Sequence, residues 1–276
     1  MALRDQRHQG DGGDLYANWA RVYDYFRPAR LREIEFWTRL ALAYGRRLLD
    51  LMCGTAEVSL GLARCGHRVL GVDLSRAMLA VGARRLASAA DYAARSLLLV
   101  QGDASSIPAL DDEIDFALVG GSGSFNHLDD DLAATALGGL CRVLRPGGAL
   151  GMELVNPYLL QELPSVRSFG PFRPTPPGVR VSRTVSTRSS GAAGLFHICQ
   201  ATSHDIDGVR GEFEETFALR LWGPEDVRSL LKGAGFAGVQ FYGDYDLGAF
   251  DRWSSDLLVV ATTGSGTSSL FRGELR

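Results

Sequence analysis

Three aspartates lie where apolar, strand-like runs of the sequence end, and carboxylates placed there can accept hydrogen bonds from a nucleotide. Asp50 leads into the turn Met52–Ala56, whose Gly54 lets a ligand approach the backbone closely. Asp73 ends the second run, where it can accept from ribose hydroxyls, and Asp103 ends the third, where it can accept from an adenine amino group. Each aspartate alone has a plainer explanation as a helix cap or turn residue. Three at the ends of successive strands predict a nucleotide-binding edge.

The elements that must position these aspartates are indicated by short apolar runs alternating with longer amphipathic segments. Such alternation predicts strands and helices joined by right-handed crossovers, and therefore a parallel sheet covered by helices. The predicted strands are Arg47–Met52, Arg68–Val72, Ser96–Val100, Ile114–Val119, Ala149–Val155, Val239–Tyr245 and Asp256–Thr262, and the predicted helices are Val58–Cys65, Arg76–Ser88, Asp130–Leu144 and Pro224–Lys232. The predicted fold class is α/β with a doubly wound sheet.

One region interrupts this alternation. Residues from about 157 to 221 begin Pro-rich and continue as β-favouring runs, which predicts a small antiparallel β insertion. Its three predicted strands are Val179–Thr187, Gly194–Ser203 and Gly211–Leu221. The insertion is expected to roof a small-molecule pocket or to form a homodimer contact, and its arginines and phenylalanines would suit an aromatic or anionic small molecule.

The two ends of the chain also differ from its centre. Trp19, Tyr23 and Phe26 fall at helical spacing, which predicts a helical lid over residues 14–45 with an interruption at Pro28. Residues 1–13 and 264–276 are polar or rich in Gly, Ser and Thr, so we expect a disordered N-terminus and a flexible tail around a domain of residues 14–263.

The composition excludes several classes of partner. The net charge of −3 gives no basic surplus for a nucleic acid, and the cluster Arg27, Arg30 and Arg32 is interpreted as a solvated helix face. No signal peptide and no apolar run of about 18 residues is present, so we expect a cytoplasmic protein without a membrane partner. The four cysteines lie far apart, which predicts neither disulfides nor a metal site.

Four segments together resemble one protein family. LLDLMCGTAEVSL, GVDLSRAMLAVGARRLA, VQGDASSIPALDDEIDFAL and GGLCRVLRPGGALGMEL are similar, in order and spacing, to the class I S-adenosylmethionine-dependent methyltransferases, and the first resembles a small-molecule subgroup that reads LMCGTG. The resemblance implies S-adenosylmethionine as the cofactor, S-adenosylhomocysteine as its product, and a Rossmann-like methyltransferase fold. It also implies seven strands, with the last running antiparallel between its neighbours.

The resemblance assigns the cofactor contacts by position. Backbone near Asp50, Met52 and Gly54 would hold the methionine portion. Asp73 would hold the ribose, and its neighbour Leu74 would be a further cofactor contact. Met78, Asp103 and Ala104 would contact the adenine. Gly120 would line the sulfonium, and Tyr16 and Tyr23 would close over the site. The usual turn has glycine where this chain has Met52 and Ala56; we interpret the alanine methyl, which could crowd the cofactor carboxylate, as a tolerable change.

The acceptor is less clearly indicated. His127 is a candidate general base, because an imidazole titrates near neutral pH. Asn126 and Glu153 are candidate acceptor contacts, since they follow or end the fourth and fifth predicted strands. Methyl transfer to N or O of a small molecule, and less so to C, is the leading hypothesis, in a monomer or a homodimer. A repurposed fold that binds the cofactor without transferring methyl, as a cyclase or a binding protein, is the alternative. A nicotinamide oxidoreductase is disfavoured, because the chain lacks the G-x-G-x-x-G turn of that class.

Overall fold

The computed structural model describes residue 14 and residues 16–28, 30–89, 92–121, 123–191 and 194–264. The expected disorder of residues 1–13 and all of the expected tail beyond residue 264 lie outside this part of the chain. No helix among the described residues combines the length and the apolar character that crossing a membrane requires.

A seven-stranded sheet forms the centre of the molecule. Its strands are β1 (Arg47–Leu51), β2 (Arg68–Asp73), β3 (Leu97–Gln101), β4 (Ile114–Val119), β5 (Leu144–Val155), β10 (Phe236–Tyr242) and β11 (Asp256–Thr263). They lie in the order β10-β11-β5-β4-β1-β2-β3. β11 runs antiparallel to both of its neighbours, whereas β1 to β5 are mutually parallel. The doubly wound α/β fold and the reversed last strand are therefore confirmed.

Six α-helices accompany the strands in the described residues. They are α1 (Leu31–Tyr44), α2 (Glu57–Arg64), α3 (Arg76–Ser88), α4 (Asp130–Val143), α5 (Pro157–Glu162) and α6 (Pro224–Gly233). Trp37 of α1 and Leu62 of α2 pack on one face of the sheet, against Phe116 of β4. Leu137 of α4 and Leu231 of α6 pack on the other face. Because β4 is buried along its whole length, a ligand can reach its carboxyl end only beside the loop that follows it.

Before Pro28 the N-terminal lid is not the α-helix that the aromatic spacing predicts. It consists of two short 3₁₀ turns, Trp19–Arg21 and Tyr23–Phe26, followed by α1. Trp19 stacks on Phe26, with ring centroids 5.5 Å apart and planes inclined by 8°. The aromatic residues therefore remain adjacent, but they pack as a compact cluster between α3 and the insertion.

The insertion is antiparallel, as predicted, but contains four strands in the described residues rather than three. They are β6 (Val166–Phe169), β7 (Val179–Ser189), β8 (Leu195–Ile206) and β9 (Val209–Arg220), in that order across the sheet. The additional strand β6 pairs with the far end of β7, where Val166 lies opposite Ser186. Buried side chains such as Val181 and Val185 alternate with exposed ones along β7, so one face of this sheet covers the lid.

Candidate functional site

The turn after β1 has an unusual backbone conformation. Met52, Gly54 and Ala56 all lie in the left-handed region, with φ of +63°, +57° and +57°. The Cys53 N–H donates to the Val72 carbonyl (3.0 Å), which ties the turn to β2. A side chain at Gly54 would meet no heavy atom within 4 Å, so the space beside the turn is open. These positions are those where glycine is the ordinary residue, because left-handed backbone strains other side chains.

Ala56 fits this turn because its methyl group points away from the open space. The residue is 1% exposed. A methyl group built on Gly82 of α3 would lie 3.1 Å from the Ala56 Cβ, so the alanine fills the gap that Gly82 leaves. The Ala56 methyl group therefore does not enter the space that is open to a ligand, so the expected crowding is absent.

Asp73 links the turn to the end of β2. Its carboxylate accepts from the Gly54 N–H (2.7 Å) and from the Ser75 N–H (2.8 Å). Burial raises the pKa of Asp73 above its ordinary value, although both backbone hydrogen bonds oppose that rise. Each carboxylate oxygen has two lone pairs, so Asp73 can still accept hydrogen bonds from a hydroxyl-bearing ligand.

The loops after β2 and β3 carry the other predicted nucleotide contacts. Leu74 is 55% exposed, whereas Met78 is 4% exposed and packs in the lid cluster. Exposed Leu74 therefore offers apolar surface beside Asp73, whereas Met78, the predicted adenine contact, lies within the packed lid cluster. Asp103 accepts hydrogen bonds from the N–H and the hydroxyl of Ser105, both 2.8 Å, and Ala104 next to it is buried.

Asp50 lies beneath the turn, beside a small cavity. Ser59 donates to its carboxylate (2.5 Å), and burial raises the pKa of Asp50 to about 7. The cavity is lined by residues of the lid, of the turn after β1 and of the loop after β4, among them Tyr23, Met52 and Gly120. Strands β1 and β4 are neighbours in the sheet, so their carboxyl ends form the two walls of this cavity.

A buried group of charged side chains lies behind Gly120, and only Glu153 among them was predicted from the sequence as a site residue. Arg30 donates to both oxygens of Glu33 (2.9 and 2.7 Å), and both side chains are nearly inaccessible. Arg30 is therefore not part of a solvated helix face. Glu153 is 3% exposed; burial and the charge of Glu33 raise its pKa to about 8. Tyr245 hydrogen-bonds Glu153.

Tyr16 and His127 meet in front of the strand ends. Their ring centroids lie 6.2 Å apart in an edge-to-face arrangement, and His127 also contacts Phe217 of β9 at 5.0 Å. Burial lowers the pKa of His127 to about 4. At neutral pH the imidazole is uncharged and can accept a proton or a hydrogen bond, but it is a weaker base than its ordinary pKa suggested.

Glu215 of β9 lies on the same side of the lid and was missed by the sequence analysis. Gln200 donates to its Oε2 (2.7 Å), while Oε1 is buried and has no hydrogen-bond partner. Burial raises the pKa of Glu215, and its charge in turn contributes to raising that of Tyr16. The signal in the sequence is weak, because Glu215 directly follows Glu214 in an ordinary amphipathic strand whose exposed face carries Glu212 and Glu214.

Asn126 has a structural task instead of the predicted contact with an acceptor. It is fully buried; its amide nitrogen donates to the Arg220 carbonyl (2.7 Å) and its oxygen accepts from the Val155 N–H (3.0 Å). Both ends of the amide are therefore occupied. Asn126 joins the end of β5 to the end of β9, which positions the 3₁₀ turn that carries His127.

Comparison with known proteins shows the family to which the chain belongs. Residues 48–148 match a family model described as a methyltransferase domain. Demethylmenaquinone methyltransferase of Mycobacterium tuberculosis (strain ATCC 25618 / H37Rv) is 30% identical over 174 residues, which are 56% of this chain and 68% of that protein. The chain belongs to the S-adenosylmethionine-dependent methyltransferases. S-adenosylmethionine is accordingly the cofactor of this methyltransferase.

Two solved structures have the same fold as this methyltransferase. An S-adenosylmethionine-dependent methyltransferase from Clostridium acetobutylicum ATCC 824 superposes with a TM-score of 0.74 and 17% identity, covering 90% of this chain and 99% of that one. The sugar N-methyltransferase KedS8 from Streptoalloteichus sp ATCC 53650 gives a TM-score of 0.69 and 21% identity, covering 92% and 95%. At these identities the likeness concerns the fold alone.

The residues at the strand ends fit this cofactor. The open space beside Gly54 leaves room for a ligand against the backbone, and the Asp73 carboxylate lies at the edge of that space. Exposed Leu74 supplies an apolar surface next to Asp73, as a planar base requires. Asp14 closes this edge, since its carboxylate accepts from Ser75 Oγ (2.8 Å) and from the Ala77 N–H (2.6 Å).

Proposed function

We propose that this methyltransferase transfers the methyl group of S-adenosylmethionine to the nitrogen of a small-molecule amine, with a hydroxyl oxygen as the alternative acceptor atom. The observation that carries the proposal is the unpartnered, buried Oε1 of Glu215. A buried acceptor atom without a partner costs about 1–3 kcal/mol, and the N–H of an amine would satisfy it. KedS8, which shares the fold, is described as a sugar N-methyltransferase.

In this proposal the cofactor lies along the ends of β1, β2 and β3. Asp73 accepts hydrogen bonds from the ribose hydroxyls, and the backbone of the turn at Met52 and Gly54 binds the methionine portion. Gly120 lines the sulfonium, while Leu74 and Ala104 contact the adenine. The bound cofactor supplies an activated methyl group on sulfur, so the protein mainly has to position the acceptor and exclude water.

The proposed acceptor site lies between Tyr16, His127 and Glu215. Glu215 attracts the ammonium form of the amine and removes a proton, which frees the nitrogen lone pair. His127, uncharged at neutral pH, accepts a hydrogen bond from the remaining N–H and orients the lone pair. The lone pair then forms the new C–N bond as the methyl–sulfur bond breaks.

A panel of acceptors tests the proposal. Purified enzyme with S-adenosylmethionine is given amino sugars and other small amines, each with a matched alcohol in which hydroxyl replaces the amine. S-adenosylhomocysteine formation is followed by mass spectrometry, and the methylated atom is assigned by NMR. We expect amines to be methylated; turnover of the alcohols and not of the amines would contradict the proposal.

Two variants of β9 separate a binding carboxylate from a structural one. In E215Q, kcat/KM for the amine should fall by about 10²-fold, since the charge-assisted hydrogen bond is lost. The matched control is E214Q, because Glu214 precedes it on the exposed face of the same strand. Cofactor affinity should be unchanged in both variants. Wild-type kinetics in E215Q would remove Glu215 from the acceptor site.

A further inference from the structure

Three arginines around the lid have no carboxylate partner, unlike most of their neighbours. They are Arg27 at the end of the lid, Arg167 of β6 and Arg183 of β7. Within the part of the chain that the structure describes, none of the three forms an ion pair. Nearby Arg85 and Arg173 are paired, with Asp24 (2.5 Å) and Glu57 (2.7 Å) respectively.

Arg27 and Arg183 contact the same group of aromatic rings, and Arg167 lies two residues from one of these rings. Arg183 is 5.0 Å from the ring of Phe26, which precedes Arg27, and 5.2 Å from the ring of Phe169. Phe169 is two residues beyond Arg167 and lies on the same face of β6, because side chains alternate along a strand. Burial, together with the positive charges of Arg27 and Arg167, lowers the pKa of Arg183 to about 10.

Each of these arginines also has an unmet hydrogen-bond donor. The Nε atoms of Arg27, Arg167 and Arg183 are buried and have no partner. The rings of Trp19, Phe26 and Phe169 stabilise the charge of Arg183 through cation–π contacts, but they leave its donors unsatisfied. Buried charge without a counter-ion is costly, so this arrangement is incomplete until an anion joins it.

The position of the group connects it to the acceptor side of the lid. Arg27 donates to the carbonyl of Gly121, in the loop that follows β4. Arg167 and Arg183 belong to the face of the insertion that covers the lid. Glu215 and Gln200 lie on this same face, because the register of the strands places four residues in one row across the sheet: Arg167, Val185, Gln200 and Glu215.

We propose that Arg27, Arg167 and Arg183 form a subsite for a phosphoryl group, and that the acceptor carries this group as a phosphate ester or diphosphate. The assignment to the acceptor rests on the function proposed above; the anion subsite itself does not. Guanidinium groups match phosphoryl oxygens with paired N–H donors, and three positive charges complement the double negative charge of such a group. The row across the insertion then binds the acceptor at both ends, by arginine at β6 and by Glu215 at β9.

Calorimetric titration with inorganic diphosphate tests the subsite without knowledge of the acceptor. The full-length protein is first saturated with S-adenosylhomocysteine, and ionic strength is kept constant with chloride. We expect diphosphate to bind the wild type and to bind R183M and R167M about tenfold or more weakly, because each change removes a charge-assisted contact. The matched control is R188M, since Arg188 lies on the exposed opposite face of β7 and should leave diphosphate affinity unchanged. R183K keeps the charge and should retain part of the affinity.

Each outcome of this titration supports or overturns a specific part of the proposal. Absence of diphosphate binding to the wild type, or equal weakening in R183M and R188M, overturns the subsite. Displacement of S-adenosylhomocysteine by diphosphate also overturns it, because the arginines would then serve the cofactor carboxylate. S-adenosylhomocysteine affinity shows whether each variant is folded. If diphosphate binds specifically but no amine is methylated, the proposed acceptor atom alone is refuted. If uncharged amines are methylated and diphosphate does not inhibit that reaction, the subsite alone is refuted.

Discussion

Ala56 and Gly82 share the space for one methyl group between the cofactor turn and α3, and exchanging them is a sharp test of how this turn is built. Ala56 occupies left-handed backbone at φ +57°, which costs an alanine about 1–2 kcal/mol relative to glycine. A56G removes that strain. The variant also loses about 0.8 kcal/mol of methyl burial and about 0.4–1 kcal/mol through a more flexible unfolded chain. The two effects nearly cancel, so we expect A56G to change stability by less than about 1 kcal/mol.

The reciprocal change behaves differently. G82A places a methyl group 3.1 Å from both the Ala56 Cβ and Leu99 Cδ1, and overpacking of this kind costs about 1–3 kcal/mol. The gain of about 1 kcal/mol from replacing a helical glycine offsets part of that cost. In the double variant the clash with Ala56 is absent and the helical gain remains. We therefore expect A56G/G82A to be more stable than the sum of the single changes by about 1 kcal/mol or more.

Urea unfolding of the wild type and the three variants, with and without S-adenosylhomocysteine, measures this coupling. Additivity within about 0.3–0.5 kcal/mol would refute the reasoning, because the two methyl groups would then not compete. Cofactor affinity in A56G supplies a second check. We expect it to be unchanged, since the methyl group points to α3; a tenfold gain would mean that the alanine crowds the cofactor after all.

Three further predictions concern the frame around the site. D73A should weaken S-adenosylhomocysteine binding by about 1–3 kcal/mol through loss of charge-assisted hydrogen bonds, and unchanged affinity by calorimetry would displace the ribose from Asp73. N126A should lower the free energy of unfolding by about 2–4 kcal/mol, because a buried N–H and a buried carbonyl lose their partner; thermal unfolding measures this, and wild-type stability would contradict it. Burial opposes the shift, but hydrogen bonds from Arg47 and Arg145 lower the pKa of Asp115 to about 2, below its ordinary 3.8. Its stabilisation is therefore present above about pH 4 and lost as pH falls toward 2; urea midpoints across this range should change less in D115N than in the wild type.

The central fold could be predicted because its signals are local and repeated. Each buried strand is a short apolar run and each crossover helix is amphipathic, so the alternation alone indicates a parallel sheet. The turn after β1 was equally visible, since its position follows directly from the end of a strand. Neither inference needed knowledge of which side chains meet across the molecule.

The lid and the insertion were less predictable because tertiary contacts decide them. Helical spacing of Trp19, Tyr23 and Phe26 is compatible with 3₁₀ turns as well as with an α-helix, and packing against β7 favours the compact form. The four-residue strand β6 has no alternation long enough to recognise, and it exists because β7 offers it an edge. Such context routinely overrides local preference.

The side chains of the site also differ in whether their roles depend on local sequence or on tertiary contacts. Asp73 is recognisable because its role follows from its place at a strand end. Asn126 and Glu215 lie in segments whose sequence pattern is ordinary, and their roles depend on partners about 90 and 15 residues away, at Arg220 and Gln200. Identifying a buried oxygen without a partner requires the complete set of contacts around it, which no local pattern contains.

The contacts of the lid connect the cofactor turn to the insertion. Asp24 of the lid accepts from Thr55 Oγ1 in the cofactor turn (2.8 Å) and from Arg85 of α3 (2.5 Å). Arg173 of the insertion donates to the carbonyls of Arg27 and Pro28, both 2.7 Å, at the other end of the lid. Because one short segment is fixed by the turn on one side and by the insertion on the other, it cannot open toward one ligand without loosening its contacts with the other. We therefore expect binding of either ligand to favour the closed lid for the other, a coupling by shared structure rather than by direct contact.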